Sequence, residues 1–147
     1  LMIKDNSPKL IEYNVRFGDP ECQVILPRLK SDIVSIMIAV CDGKLDEIKI
    51  EWLEISSLIV IMATKGYPNK YPLNTTINGL ENIISKESII FHSGTKLVNK
   101  EIKSNGGRVL GITSLASTLD IAREKSYKSI EKISWPNGFY RKDIGNF

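Results

Sequence analysis

From Ile11 to Phe17 hydrophobic and polar positions alternate one by one, with Ile11, Tyr13, Val15 and Phe17 on one side and Glu12, Asn14 and Arg16 on the other. Successive strand side chains point to opposite faces, so this spacing predicts a strand with one face built for burial. The segment then breaks into Gly18-Asp19-Pro20. Upstream, the turn chemistry of Asp5-Asn6-Ser7-Pro8 lies between apolar runs and predicts a hairpin of two short strands over Leu1 to Val15.

The period then lengthens. Asp19 is suited to cap a helix, Pro20 to its first position and Glu21 to its dipole, so a helix is expected from here, interrupted at Pro27. Ser31 is expected to cap a second helix through Ile33, Ile36, Met37 and Val40, ending near Asp42-Gly43. From Glu47 to Ala63 the residues become β-branched, and "SSLIVIMAT" predicts a central strand, followed by the breaker-rich "KGYPNKYPLN". A domain boundary is placed near residue 50. Short apolar stretches follow in "LENII" and "SIIFHSG". Two alternating runs flank Asn105-Gly106 in "KLVNKEIKSNGGRVLGIT", the strongest local hairpin signal in the chain. Ser117 opens a last helix whose Leu119, Ala122, Ser126, Ile130 and Ile133 recur every three or four residues, and which stops before Trp135-Pro136-Asn137-Gly138. The chain carries neither an internal repeat nor a low-complexity tract.

Composition narrows the classes. The 147 residues are 42 % hydrophobic, enough for a packed core in one domain or two small ones. The richest apolar run, Ile55 to Ala63, falls short of the roughly 18 to 20 residues of a membrane span. The N-terminus has no basic segment before an apolar signal core, so the cytoplasm is the expected compartment. Cys22 and Cys41 make neither a disulfide framework nor a zinc cluster and are expected to be reduced thiols. The net charge of +3 comes from 20 basic and 17 acidic residues scattered through one another, which argues against nucleic acid as a partner. Leu1-Met2-Ile3 reads as the middle of a strand, as though a beginning were missing.

The chemistry concentrates near the start. Mg²⁺ takes oxygen ligands, usually one or two carboxylates plus substrate phosphates, and Glu12 with Asn14 supplies such a share. Arg16, next on that face, offers a planar fork for a phosphate or acyl-phosphate oxygen. The plain alternative is the solvated side of a half-exposed antiparallel strand. His92 is the only histidine and has no acidic or thiol partner nearby in sequence, which favours a structural role. "SNGGRV" is able to cradle a phosphate, although a tight turn explains Asn105-Gly106 as well; Arg108 behind it is the more interesting side chain. "YRKDIG" reads as a solvated or merely packed tail.

"LIEYNVRFGDPECQVILPRLKSD" resembles the end of the ATP-grasp domain of the phosphoribosylamine-glycine ligase (glycinamide ribonucleotide synthetase) family. "KGYPNKY", "INGL", "FHSGTK", "NGGRVLGIT" and "FYRKDIG" follow in the order of that family's C-terminal domain, so the resemblance spans essentially the whole chain. Ser93 stands where the family commonly has alanine, and "YPLNTT" replaces a stretch that usually contains Lys-Gly. Glu-x-Asn-x-Arg alone is shared by several ATP-grasp ligases; the following "FGDPE" and the downstream motifs make the likeness specific.

The resemblance implies an enzyme of purine synthesis. ATP phosphorylates the carboxylate of glycine, and the amine of 5-phosphoribosylamine displaces phosphate to form the amide. It implies Glu12 and Asn14 as ligands of Mg²⁺ (or Mn²⁺) and Arg16 as the residue that stabilises the transferring phosphoryl group. Asp19 is then a candidate for the glycine ammonium or the ribosyl substrate, its capping role standing beside that reading, and Arg108 a weaker substrate-binding candidate. The family's N-terminal domain and ATP-closing lid precede the point where this chain begins. The expected architecture is α+β: residues 1–50 as the tail of an ATP-grasp domain, antiparallel sheet with helices, and residues 51–147 as a small, mostly antiparallel β domain with a terminal helix. Such a portion is expected to be inactive alone and, exposing strand edges and apolar area, to be unstable, to dimerise or to need its other half. The rival functions are a non-catalytic binding or assembly module and another ATP-grasp ligase, the latter not expected to share "FHSGTK" and "NGGRVLG".

Overall fold

A computed structural model describes residues 1–13, 15–83 and 88–146. Sheet and helix are mixed and every strand pairing is antiparallel. The centre is the ladder between β3 (Ser56–Thr64) and β8 (Arg108–Ala116). Both are rich in apolar and β-branched residues that suit a covered strand. β5 (Ser88–His92) adds to the outer side of β8 and β9 (Gly138–Tyr140) to that of β3, giving the order β5-β8-β3-β9. A second sheet of three strands, β4 (Thr76–Ile77), β7 (Glu101–Ser104) and β6 (Thr95–Val98), is ordered β4-β7-β6.

One face of the main sheet is covered by α3 (Leu119–Glu131), whose Thr118 side chain accepts from the Ile121 N–H as its cap. Small residues let α3 come close: Ala122 and Ser126 are fully buried, and Ser126 donates to the Leu58 carbonyl. Val60, Leu110 and Ile112 are likewise fully buried in the core that α3 closes together with Ile130 and Trp135. The opposite face receives α1 (Cys22–Ile25), through the Thr113 hydroxyl, which donates to the Gln23 carbonyl at 2.9 Å. The next helix, α2 (Ile33–Cys41), ends at Asp42 and Gly43, as its period predicts. Its cap is Asp32 rather than Ser31: the Asp32 carboxylate accepts from both the N–H and the hydroxyl of Ser35, while the Ser31 hydroxyl is taken by the Glu51 N–H. Likewise the cap of α3 is Thr118 and not Ser117. Across residue 50, Lys30 N–H donates to the Glu51 carbonyl and Leu53 N–H to that of Arg28.

Three further expectations differ from the structure. β1 (Met2–Lys4) and β2 (Ser7–Lys9) form the expected hairpin about Asp5-Asn6, both at positive φ, but β2 ends at Lys9. Residues 11–13 form no strand, and Ile11, Tyr13, Val15 and Phe17 are exposed, Val15 at 97 %. A strand needs a neighbour to receive its N–H and C=O groups, and none of the described residues lies alongside this segment as one. Second, Asp19 caps no helix: α1 starts at Cys22 with Glu21 at the cap position and no side-chain cap bond.

Third, Asn105-Gly106 is not a hairpin turn. β7 and β8 belong to different sheets, and neither Gly106 nor Gly107 has positive φ. The tight turn lies at Asn99-Lys100, both at positive φ, joining β6 to β7. The glycines answer to contact instead. A Cβ on Gly107 would sit 2.1 Å from the Tyr67 ring, and one on Gly106 3.2 Å from Gly94 Cα. Of "LENII", Ile84 lies outside the described residues.

Hydrogen bonds from the Ser35 hydroxyl, and then from its N–H, hold the Asp32 carboxyl below its ordinary value. A depressed folded-state pKa contributes stability that is present above the unfolded value, about 3.9, and lost as pH falls through the folded value. Asp32→Ala is therefore expected to lower the melting midpoint at pH 7 and to converge with the unchanged chain as the medium is acidified past that point. Melting curves over a pH series check it. At the tight turn, Lys100→Gly removes a side chain from left-handed backbone and is expected to stabilise the chain by about 0.5–1 kcal/mol, read as a higher denaturant midpoint at unchanged slope.

Candidate functional site

The sequence candidates fall on two stretches of chain. Glu12, Arg16 and Asp19 precede α1, and Arg108 opens β8. Asn14 lies outside the described residues. Glu12 is exposed, and its carboxylate is open to a ligand. Arg16 is also exposed and donates through Nη1 to the Phe17 carbonyl at 2.7 Å, which turns the guanidinium back along its own chain. Gly18 is folded tightly over Glu21: a Cβ there would lie 2.4 Å from Glu21 Oε2. The Cys22 N–H donates to the Gly18 carbonyl, closing a turn at the start of α1.

Two candidates far apart in sequence meet. Arg108 Nη2 donates to Asp19 Oδ2 at 2.8 Å across 89 positions of sequence. Both side chains are about half exposed, at 43 % and 47 %. The Asp19 carboxylate thus finds its partner in β8 instead of at a helix N-terminus.

The backbone beneath Arg108 is held from several sides. Thr64, at the end of β3, donates twice, its N–H to the Gly107 carbonyl and its hydroxyl to that of Gly106, while its carbonyl accepts from the Tyr67 N–H. The Ser93 and Gly94 N–H groups both reach the Val109 carbonyl, and Asn105 N–H donates to the Gly94 carbonyl. A Cβ on Gly94 would lie 2.6 Å from the Arg108 carbonyl oxygen, so only glycine lets these two loops cross. His92 Nδ1 and Thr95 Oγ1 are 3.0 Å apart, a hydrogen bond that spans the Ser93-Gly94 turn and gives the histidine a structural task. The segments "KGYPNKY", "FHSGTK" and "NGGRVLGIT" therefore converge on one end of the main sheet, and Arg108 carries that corner to Asp19. Nothing in the sequence pattern pointed to Thr64, Tyr67 or Thr113; each reads locally as an ordinary strand or loop residue.

A metal cage built by protein alone is not present among the described residues, where no three His, Cys, Asp or Glu side chains gather. A surface groove along α3, walled by Arg123, Tyr127 and Tyr140, involves none of the candidates. The Arg123 guanidinium there is committed to the carbonyls of Lys142 and Ile144 and lies over the Tyr127 ring, so the groove holds down the C-terminal tail. No helix among the described residues is long and apolar enough to cross a membrane.

Residues 57–147 match the family described as "Phosphoribosylglycinamide synthetase, C domain". The chain belongs to this family. Similarity continues upstream of the matched region. A phosphoribosylamine–glycine ligase of Brucella melitensis is 47 % identical over 146 residues, which are 99 % of this chain and 34 % of that protein. The chloroplastic phosphoribosylamine–glycine ligase of Arabidopsis thaliana is 44 % identical over 150 residues, 99 % of this chain and 28 % of its own. The crystal structure of phosphoribosylamine–glycine ligase from Thermotoga maritima is similar in fold, with a TM-score of 0.74 at 30 % identity, over 97 % of this chain and 35 % of that one. The chain thus spans about a third of the length of the curated relatives it matches.

Proposed function

We propose that this chain is the C-terminal portion of an ATP-dependent ligase of purine biosynthesis that joins glycine to 5-phosphoribosylamine through glycyl phosphate, giving glycinamide ribonucleotide, ADP and phosphate. The observation that carries the reading is the 44–47 % identity with phosphoribosylamine–glycine ligases over 99 % of the chain, which takes in the Glu12-to-Glu21 segment as well as the C domain. Residues 1–50 are read as the tail of the ATP-grasp domain and 51–147 as the small β-rich C-terminal domain, in keeping with a family match that starts at residue 57. The cytoplasm is the proposed compartment.

The donor chemistry of Glu12 and Asn14, a carboxylate and an amide oxygen, fits a hard cation that takes its remaining ligands from phosphates and water. Bound Mg²⁺ or Mn²⁺ would neutralise developing charge on the nucleotide phosphates. Arg16 is assigned to the transferring phosphoryl group, where a guanidinium fork strengthens its contacts as charge spreads over the oxygens. Its present partner, the Phe17 carbonyl, is a neutral acceptor that an anionic phosphate oxygen would outcompete. Asp19, whose Oδ1 is not part of the ion pair, is assigned to the amine side of the substrates, and Arg108 holds its other carboxylate oxygen.

Apolar exposure supports a partner from the same enzyme. Val34, Ile38 and Val40 of α2 stand more than half exposed, and so do Ile11, Tyr13 and Val15. Side chains of this kind are expected to be covered by the part of the enzyme that the relatives carry beyond this chain.

In a complete ligase carrying this segment, Glu12→Ala is expected to cut kcat about 100-fold and to raise the Mg²⁺ concentration needed for half-activation, with the melting midpoint unmoved. Steady-state rates over a Mg²⁺ series check it; unchanged metal dependence would make Glu12 part of a merely solvated surface. The 147-residue chain by itself is expected to give no product in a single-turnover mixture of ATP, glycine and phosphoribosylamine. Product from the isolated chain would show that the rest of the enzyme is dispensable.

A further inference from the structure

Along most of β8 the even-numbered side chains face α3: Leu110 and Ile112 are in the core, and the Ser114 hydroxyl meets that of Ser88, which accepts from Ser129 of the helix. Unbroken alternation would send Arg108 to that same face. The ladder slips just before it. Met62 pairs with Leu110 and Ala63 with Arg108, so Val109 has no partner across the ladder. An extra residue of this kind shifts the alternation by one and re-aims the side chains beyond it. Arg108 is carried to the face where Thr113 holds α1, and there it reaches Asp19.

The pair grips a particular point. Asp19 follows Arg16 by three residues, at the end of the segment that bears Glu12, Asn14 and Arg16. On the Asp19 side the Gly18–Cys22 turn is closed by a hydrogen bond, and on the Arg108 side the backbone is wedged between Gly94 and the Thr64 bonds. A half-exposed ion pair adds little to stability, so its effect falls on where the segment points. An exposed segment with no strand neighbour is free in direction unless something distant holds its end.

We propose that Arg108 is a positioning residue for the ligase reaction: through Asp19 it sets the direction in which Glu12 and Arg16 are presented to the metal–nucleotide. The proposal rests on the reading of that segment given under the proposed function. Arg108 acts at a distance from the reacting atoms, and the bulge at Val109 is the device that makes its reach possible.

The test is made in a complete ligase carrying this segment. Arg108→Gln is expected to lower kcat about tenfold, to raise the Mg²⁺ concentration for half-activation and, without turnover, to weaken Mn²⁺ binding to the enzyme–ADP complex as read by electron paramagnetic resonance, in the same sense as Glu12→Ala. The KM values for glycine and phosphoribosylamine are expected to stay within about twofold, since no substrate contact is removed. Arg108→Lys, which keeps a cation for Asp19, is expected to recover most of the loss. Arg141→Gln, which breaks the exposed ion pair with Asp143, serves as the control and is expected to leave both kcat and metal requirement unchanged. An Arg108→Gln enzyme with unaltered kcat and metal requirement would overturn the proposal. So would a selective rise in the KM for phosphoribosylamine at unaltered metal requirement, which would make Arg108 a substrate contact. Glu12→Ala measured alongside separates the two readings. If it shifts the metal requirement and Arg108→Gln does not, only the positioning role falls; if neither shifts it, the assignment of the segment falls as well.

Discussion

Everything described hangs from the antiparallel ladder between β3 and β8. Val60 on one strand and Leu110 and Ile112 on the other are fully excluded from water, and burial of such side chains is worth about 1.5–3 kcal/mol each. The ladder also divides space. Up to the slip at Val109, even positions of both strands look toward α3 and odd ones toward α1, and each face makes its own demand on residue size. On the α3 side small hydroxyls take up the contact, with Ser88, Ser114 and Ser129 bonded to one another so that no buried oxygen of the three is left unpaired. On the other side Gly111 leaves room for Ile59 and Ile61, a Cβ there falling 2.8 Å from Ile59 Cδ1.

Elements whose signal is local were legible in the sequence. β3 is an uninterrupted apolar and β-branched run, and α3 shows a helical stripe whose small members, Ala122 and Ser126, are those the sheet requires. Even the Asp5-Asn6 turn declared itself. Asn105-Gly106 misled because its composition matches a two-residue turn, whereas its glycines serve a crossing of loops and a ring contact with Tyr67 that lies some forty positions away in sequence. Composition records the permission for left-handed backbone but not the reason the glycine is there. Ile11 to Phe17 misled for another reason: alternation states a tendency, and a strand exists only when a neighbour supplies hydrogen bonds.

The site was legible to a different degree. Glu12, Asn14 and Arg16 are candidates by chemistry and resemblance, and Asp19 and Arg108 were both singled out, but not as partners. No local pattern links residues 89 positions apart, and a one-residue slip in a ladder leaves no mark on the alternation of β8 itself. The slip belongs to the pairing of two strands, not to either one. Side-chain direction at a bulge is therefore tertiary information even though it decides which face a single residue serves.

Two kinds of contact divide the work of holding the segment before α1. The exposed apolar side chains of α2 and of Ile11, Tyr13, Val15 and Phe17 would, once covered as proposed, supply adhesion, which scales with area and is indifferent to direction. Adhesion alone permits sliding, because many orientations bury similar area. A guanidinium on a carboxylate behaves in the opposite way: it adds little energy at a half-exposed site, but its bond at 2.8 Å holds only over a narrow range of angles. In the proposed function the segment ligates a metal, and Mg²⁺ ligation tolerates little angular error, so on that reading the weak directional contact bears on chemistry more than the strong non-directional one does. A charged pair near the surface and a bulge in the central ladder are, on the proposed reading, one device for aiming Glu12 and Arg16.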